Sequence, residues 1–307
     1  MKPGTSGQDL LYTAGGENGR GIVYVYTYPQ GALVGTLTGM IQPSGVCTDS
    51  AGNVFIVAYT TGSLGSSTIY KYAHGGTSPV AMLSDPGVAL GCAVDPKTGN
   101  LAVANTSDFT NPYEDDWGDI AIYPEARGNP KIYYDDGFPA FYNCGYDNEG
   151  NLYVSAFPYN GLDYEAVLVR LARGRKALEE INLDVSLWGN LPVVPSVQWD
   201  GQYIAVSSFP GQFFVTKILV VYRLKISGSS GTAVDELKLR SRRSHAAAGQ
   251  VWIEGRTLVG VEDSPDFSNV SYWRYPRGGK PTYTIRDIVY RGTAMLFGVA
   301  ISPATSR

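Results

Sequence analysis

The sequence predicts an all-β fold, a six-bladed β-propeller with four-stranded antiparallel blades. Three observations lead there. The first is a repeated phrase: an apolar run, an acidic residue, a Gly-containing turn and an alternating apolar run, clearest as GCAVDPKTGNLAVAN over Gly91 to Asn105. Aligned on the acidic position it recurs at Asp49, Asp95, Asp147, Asp200 and Glu254 and ends at Ser302, in steps of 46, 52, 53, 54 and 48 residues. A period of about 50 residues made of turn-punctuated strands is that of a propeller blade. The second is the text between third and fourth strands, YAHGGTSP, YPEARGNP, LARGRK and YPRGGKP, which places Gly, often followed by Pro, at the same point of each unit. The third lies at the ends. The chain opens on what is elsewhere a second strand and closes on FGVAISP, a first strand, and the join from Ser302 round to Asp49 spans 54 residues. Both termini therefore build one blade, which closes the ring and removes the open edge.

The elements follow in order. Residues 1–8 read as a flexible tail, 9–303 as a single propeller domain and 304–307 as a C-terminal tail. LLYTAGG, IVYVYTYP and LVGTLTG are the second, third and fourth strands of the shared blade. The second blade runs from Pro43 to Ser84, with TIYKYA and SPVAMLS as its outer strands, and the third from Asp85 to Tyr134, with the acidic, aromatic insertion NTSDFTNPYEDDWG. In the fourth, Asp135 to Leu183, KALEEI has helical propensity, but the repeat places it in a fourth-strand slot and overrides that propensity. The fifth, Asp184 to Arg240, is irregular around KILVVYRLKI and SGSSG, and the sixth, Ser241 to Asp287, restores the pattern with RYPRGGKPTYTIRD.

Composition narrows the classes. Hydrophobic content of 44% and charged content of 17% suit a globular chain. The 22 tyrosines, against 10 Phe and 5 Trp, suit half-buried strands. A net charge of −4 without a long basic run excludes attraction to a nucleic-acid backbone. No apolar run approaches the ~18 residues of a membrane helix. The opening MKPGTSGQ lacks the apolar core of a signal peptide, so either there is none or it was removed. Low lysine and abundant Thr, Ser, Tyr and Gly point to a secreted or periplasmic location, and the closed ring to a monomer.

Columns of the innermost strands sort the reactive residue types. Cys92 and Cys144 stand three before the acidic column among valines, and Cys47 stands two before it among small and apolar residues. Three cysteines cannot all pair with one another, no spacing suggests zinc, and all three read as small buried hydrophobes. The acidic column precedes Gly-rich turns, where Asp satisfies backbone donors, and belongs on the face opposite any pocket. Four before that column stand Gly45, Gly91, Asn143, Ser196, Gln250 and Gly298, marking the upper ends of the innermost strands at the central tunnel. Asn143, Ser196 and Gln250 are expected to present polar side chains there, to water or to a ligand. Loops from second to third strands open on the same upper face and bring Glu17, Asn105, Phe157, Tyr159, Phe209, Glu262 and Asp263, with Tyr142, Trp188 and His245 from neighbouring blade starts. Aromatics with scattered carboxylates and amides make a cup for a small polar or carbohydrate-like ligand. No GxSxG occurs and the two histidines, His74 and His245, belong to opposite ends of the propeller, so no serine-type triad is expected. Two sequons, Asn105-Thr106-Ser107 and Asn269-Val270-Ser271, are present.

Phrases such as GCAVDPKTGNLAVAN and GDIAIYPEARGNP resemble the NHL-repeat and SMP-30/gluconolactonase-like group of six-bladed propellers, over essentially the whole chain. The resemblance implies a divalent cation such as Ca²⁺ at the tunnel mouth, with Glu17, Asn105, Glu262 and Asp263 as residues of the required type, and a metal-dependent lactonase or hydrolase activity. The family's Asn-Gly, apolar run and Pro-Asp-Gly motif at the start of a strand is absent, and Asn160-Gly161-Leu162 falls after a second strand instead. The function expected first is therefore a non-enzymatic binding module. It would hold a small-molecule or carbohydrate ligand, or a protein partner, through Asn105, Tyr142, Asn143, Phe157, Tyr159, Phe209, His245 and Gln250. A protein partner recognised through the insertion around Asp108 to Trp117 is a further expectation.

Overall fold

Strands alternate because every second side chain must find a neighbouring blade, as in the buried and half-buried alternation along Glu165–Leu171. The computed structural model describes residues 1–2, 5–17, 20–60, 65–106, 117–158, 165–188, 196–208, 218–241, 247–264, 267–289 and 295–304. Among them every regular element is a strand apart from two short 3-10 turns. β1 (Leu10–Glu17), β2 (Arg20–Thr27) and the first half of β3 (Leu33–Thr48) belong to the first blade. The second half of β3 opens the second blade, continued by β4 (Val54–Tyr59), β5 (Ser67–Tyr72) and β6 (Ala81–Asp85). The third holds β7 (Val88–Val94), β8 (Leu101–Thr106), β9 (Ile120–Tyr123) and β10 (Lys131–Tyr133). The fourth holds β11 (Ala140–Tyr146), β12 (Leu152–Phe157), β13 (Glu165–Leu171) and β14 (Glu179–Leu183), and β15 (Leu187–Trp188) also pairs with β13. The fifth is β16 (Val197–Trp199), β17 (Ile204–Ser208), β18 (Ile218–Ser227) and β19 (Ser230–Arg240). The sixth is β20 (Ala247–Glu254), β21 (Thr257–Ser264), β22 (Phe267–Arg274) and β23 (Gly278–Val289). β24 (Met295–Ser302) returns to pair antiparallel with β1, Leu10 opposite Ser302 and Tyr12 opposite Ala300, so both ends of the chain build the first blade.

The helical propensity of KALEEI is overridden as expected. Glu179 to Ile181 pair with Leu168 to Arg170, and Ile181 is buried against Leu168. Two features of the rim were not foreseen. The outermost strands of the fourth, fifth and sixth blades join side by side in parallel, β14 to β19 at Asn182 and Ser230, and β19 to β23 at Leu239 and Gly279. At the first blade the Lys2 amide donates to the Val34 carbonyl at 2.8 Å and Met1 packs on the core, so these two residues cover an outer edge rather than forming part of a flexible tail. Covered edges of this kind remove exposed ladder groups that would pair with other chains.

The core lies between blades. One cluster joins Leu10, Tyr12 and Val23 of the first blade to Val46, Val54 and Ile56 of the second. Near the axis the packing contains a correction. Cys47 and Cys92, expected as separate buried hydrophobes, form a disulfide between the innermost strands of the second and third blades, with Cα atoms 5.7 Å apart. The columns do not reveal it because the two residues stand at different positions relative to the acidic column. Neighbouring strands are offset along their length, so residues out of phase in sequence meet in space. Cys144 remains a buried thiol, and burial pushes its pKa above the usual range.

The ring closure has its own polar clasp. The His74 ring, in a turn of the second blade, lies 2.7 Å from Ser302 Oγ on β24 through Nδ1 and 3.1 Å from the Gln8 carbonyl through Nε2. Desolvation lowers the His74 pKa against the raising effects of the Gln8 carbonyl and Asp9. A histidine with a lower pKa folded than unfolded makes the unfolded chain the better proton acceptor, so its contribution is present above about pH 6.5 and is lost as pH falls below that value. The melting temperature should therefore fall more between pH 7 and pH 5 for the native protein than for His74→Gln. Equal slopes in a pH series of thermal melts would remove the histidine from the account.

Candidate functional site

The innermost strands begin at the upper face, and there the column four before the acidic residues decides how near the blades approach. A Cβ added at Gly45 would stand 2.5 Å from the Leu90 carbonyl oxygen, and one at Gly91 2.5 Å from that of Tyr142. Adjacent backbones thus touch where these glycines stand. Where the column is polar, the side chains bond across blades. Ser196 Oγ donates to the Val251 carbonyl at 3.2 Å and accepts from its amide at 3.3 Å. Two residues further on, Gln198 donates to the Ile253 carbonyl at 3.0 Å and accepts its amide at 2.6 Å.

Gln250 reaches further. Its Oε1 accepts from the amides of Val46 and Val299, each at 3.2 Å, and its Nε2 donates to the Val46 carbonyl at 2.9 Å. One side chain of the sixth blade therefore ties the first and second blades. Ser196 and Gln250, expected to face a ligand, have their polar atoms committed to the backbone of neighbouring blades. Asn143 is also buried, and its backbone amide donates to Ser155 Oγ at 3.1 Å.

A denser polar group lies between the second and third blades. Asn105, fully buried at the end of β8, donates from Nδ2 to Asp119 Oδ1 at 2.8 Å, while its backbone amide donates to the Asp119 carbonyl at 2.8 Å. Asp85, fully buried at the end of β6, accepts from the Gly87 amide at 2.9 Å and the Tyr123 hydroxyl at 2.7 Å. Burial raises the Asp85 pKa, and hydrogen bonds from Tyr123, Gly87 and Asn105 offset this only in part. The Asn105 amide group is thus shared between carboxylates of two blades, while its Oδ1 is buried without a hydrogen-bond partner. Such an acceptor costs about 1–3 kcal/mol unless something reaches it. Tyr142 is buried, stands edge-on to Phe157 at 5.1 Å, and has its hydroxyl pKa pushed up to about 12 by burial. It supports Phe157, which remains half-buried at the end of β12, rather than facing solvent itself.

The remaining candidates separate. Glu262 is buried on β21 and accepts from Ser271 Oγ at 2.6 Å, and that hydroxyl is also 2.9 Å from Thr284 Oγ1. The side chains of Glu17 and Asp263 lie outside the described residues, as do Tyr159, Phe209 and His245 altogether. Among the described residues no three Asp, Glu, His or Cys side chains are grouped as metal donors. Asn105 and Glu262 each bond to a partner through one side-chain atom, Asn105 to Asp119 and Glu262 to Ser271. The acidic column behaves as turn chemistry. Asp49 accepts the amides of Ala51 and Asn53, and Asp147 those of Glu149 and Asn151. At Asp200, burial raises the pKa, but bonds from Tyr275, Arg223 and the Tyr203 and Gln202 amides outweigh it and hold the carboxyl below its usual value. Both sequon asparagines, Asn105 and Asn269, are buried and inaccessible to glycosylation in the folded chain.

Sequence reasoning missed Asp85 and Tyr123. The signal available was Asp85-Pro86-Gly87 immediately before a first strand, a turn tripeptide, and nothing in it told that the carboxylate would be buried beneath the next blade.

No family model matches the chain, and no curated protein matches it. Solved structures similar to it include a β-propeller domain and proteins of unknown function. A chain of a nidogen/laminin complex is 12% identical, with 97% of this chain and 100% of that one covered and a TM-score of 0.62. A protein of unknown function from Bacteroides caccae is 13% identical, covering 96% and 99%, with a TM-score of 0.60. The Cps50 (Swd1) β-propeller domain from Myceliophteria thermophila is 10% identical, covering 92% and 84%, with a TM-score of 0.53. At these identities the likeness is one of fold, and the fold of this chain is that of a β-propeller.

Proposed function

We propose that the chain is a binding module that meets a macromolecular partner on its upper surface, around the start of the third and fourth blades, rather than holding a small ligand inside the tunnel. Gln250 carries this reading. Its carboxamide bonds to three backbone groups of two other blades and lies where a tunnel ligand would need free polar atoms. Recognition then falls to the rim, where Trp117, Asp119 and Phe157 are half-buried, Asp119 being bonded to Asn105. A fold-level parallel with a chain of the nidogen/laminin complex, a protein assembly, agrees with a surface partner. The Cys47–Cys92 disulfide supports an oxidising location, secreted or periplasmic.

The test is an array of glycans and secreted proteins probed with the native chain, Trp117→Ala and Phe157→Ala. A saturable partner should appear and weaken at least about tenfold in both variants, the scale of losing a buried aromatic contact at an interface, with circular dichroism unchanged. Binding indifferent to both substitutions, or turnover of lactones in the presence of Ca²⁺, rejects the reading.

A further inference from the structure

We infer that the turn joining β13 to β14 is a binding site for a tetrahedral oxyanion, a phosphoryl or sulfuryl group, on the lower face of the fourth blade. A cleft of about 590 Å³ opens there, lined by Arg170, Arg175, Lys176, Leu178 and Glu179 with two alanines. Three cationic side chains thus share one cavity with a single carboxylate, on a chain whose formal net charge is −4.

The cations are not equivalent. Arg170 lies opposite Glu179 in the antiparallel register, and its Nη2 donates to Glu179 Oε2 at 2.5 Å. That bond and a hydrogen bond with Tyr153 hold the guanidinium with the side chain only 17% exposed, and Nε itself is buried without a partner. Arg175 and Lys176 are exposed, and among the described residues neither makes an ion pair. The corresponding turn of the third blade differs, because there Arg127 is neutralised by Glu125 at 2.9 Å.

The turn is held in shape. The Arg175 amide donates to the Ala172 carbonyl at 2.9 Å, the Arg173 amide to Asn151 Oδ1 at 3.0 Å, and Gly174 has a φ of 76°, a left-handed conformation that glycine adopts without strain. Two exposed cations thus stand on a fixed backbone beside one fixed guanidinium, and an oxyanion with several acceptor oxygens can engage all three. The planar fork of Arg170 suits phosphate or sulfate geometry, while Lys176 adds a point charge.

The site lies on the face opposite the proposed partner surface, so the two readings fail independently. Isothermal titration of the full chain with inorganic phosphate, and separately with a sulfated heparin oligosaccharide, tests it against the double variant Arg175→Gln/Lys176→Gln. Both substitutions fall on exposed positions and should leave the melting curve unchanged. Saturable phosphate binding at one equivalent that weakens at least about tenfold in the double variant supports the site with a small anion as ligand. Binding of the oligosaccharide alone, with the same loss and a shallower salt dependence in the variant, supports the site with a polymer as the source. Arg170→Lys, which keeps the charge and loses the fork, should weaken whichever probe binds. Absence of binding by both probes, or equal binding by the native chain and the double variant, overturns the proposal.

Discussion

Replacing Cys47 and Cys92 together by serine is expected to lower the melting temperature by about 8 °C. The bond joins residues 45 apart on the innermost strands of adjacent blades. In the chain-entropy description, closing a loop of that length removes about 4 kcal/mol of unfolded-state freedom. For a domain of this size, each kcal/mol corresponds to roughly 2 °C. Thermal melts without reductant measure the effect, with Cys144→Ala as a variant that leaves the disulfide intact. Alkylation of the denatured, unreduced protein supplies the chemical check. One added group per chain, at Cys144, is the expected mass, and three would show that Cys47 and Cys92 are unpaired.

Gln250→Leu is the second large effect. Leucine keeps most of the volume but leaves the Val46 amide, the Val46 carbonyl and the Val299 amide without the partners they have now. Each orphaned buried group costs about 1–3 kcal/mol, so the three together cost about 3–9 kcal/mol before water partly compensates. Urea unfolding followed by fluorescence gives the number. A change below about 1 kcal/mol would mean that the three backbone groups find other partners and that the amide is not the tie between blades. The comparison with Ser196→Ala is informative, because Ser196 ties only one neighbouring strand. Its loss should be the smaller.

These two effects also mark where reading the chain as text reached its limit. The acidic column was legible as turn chemistry because an Asp and the amides it accepts lie within a few residues of one another, as at Asp147 with Glu149 and Asn151. KALEEI was legible as a strand because its neighbours in the register are supplied by the same repeat. Gln250 and Ser196 were correctly placed at the upper ends of innermost strands, yet their partners stand in other blades. The distance along the chain from Gln250 to Val46 is 204 residues, and no local pattern encodes it. Asn105 was singled out and does lie in a polar group, but its neighbours Asp85 and Asp119 come from a preceding blade and from beyond the insertion. Tyr142 was expected at a surface and is buried, its ring edge-on to Phe157.

The sequence by itself determined the period, the closure by the C-terminal strand and the turns at Asp49, Asp95, Asp147 and Asp200. These depend on backbone hydrogen bonds and apolar alternation repeated within each unit of the chain. Only the tertiary structure decided that Cys47 bonds to Cys92, that Gln250 spans three blades, that outer strands of three blades join at the rim, and that Arg170 shares a cleft with Arg175 and Lys176. All four depend on how blades are offset and rotated about a common axis, so residues from different units, or opposite sides of a hairpin, meet at distances that their spacing in the chain does not set.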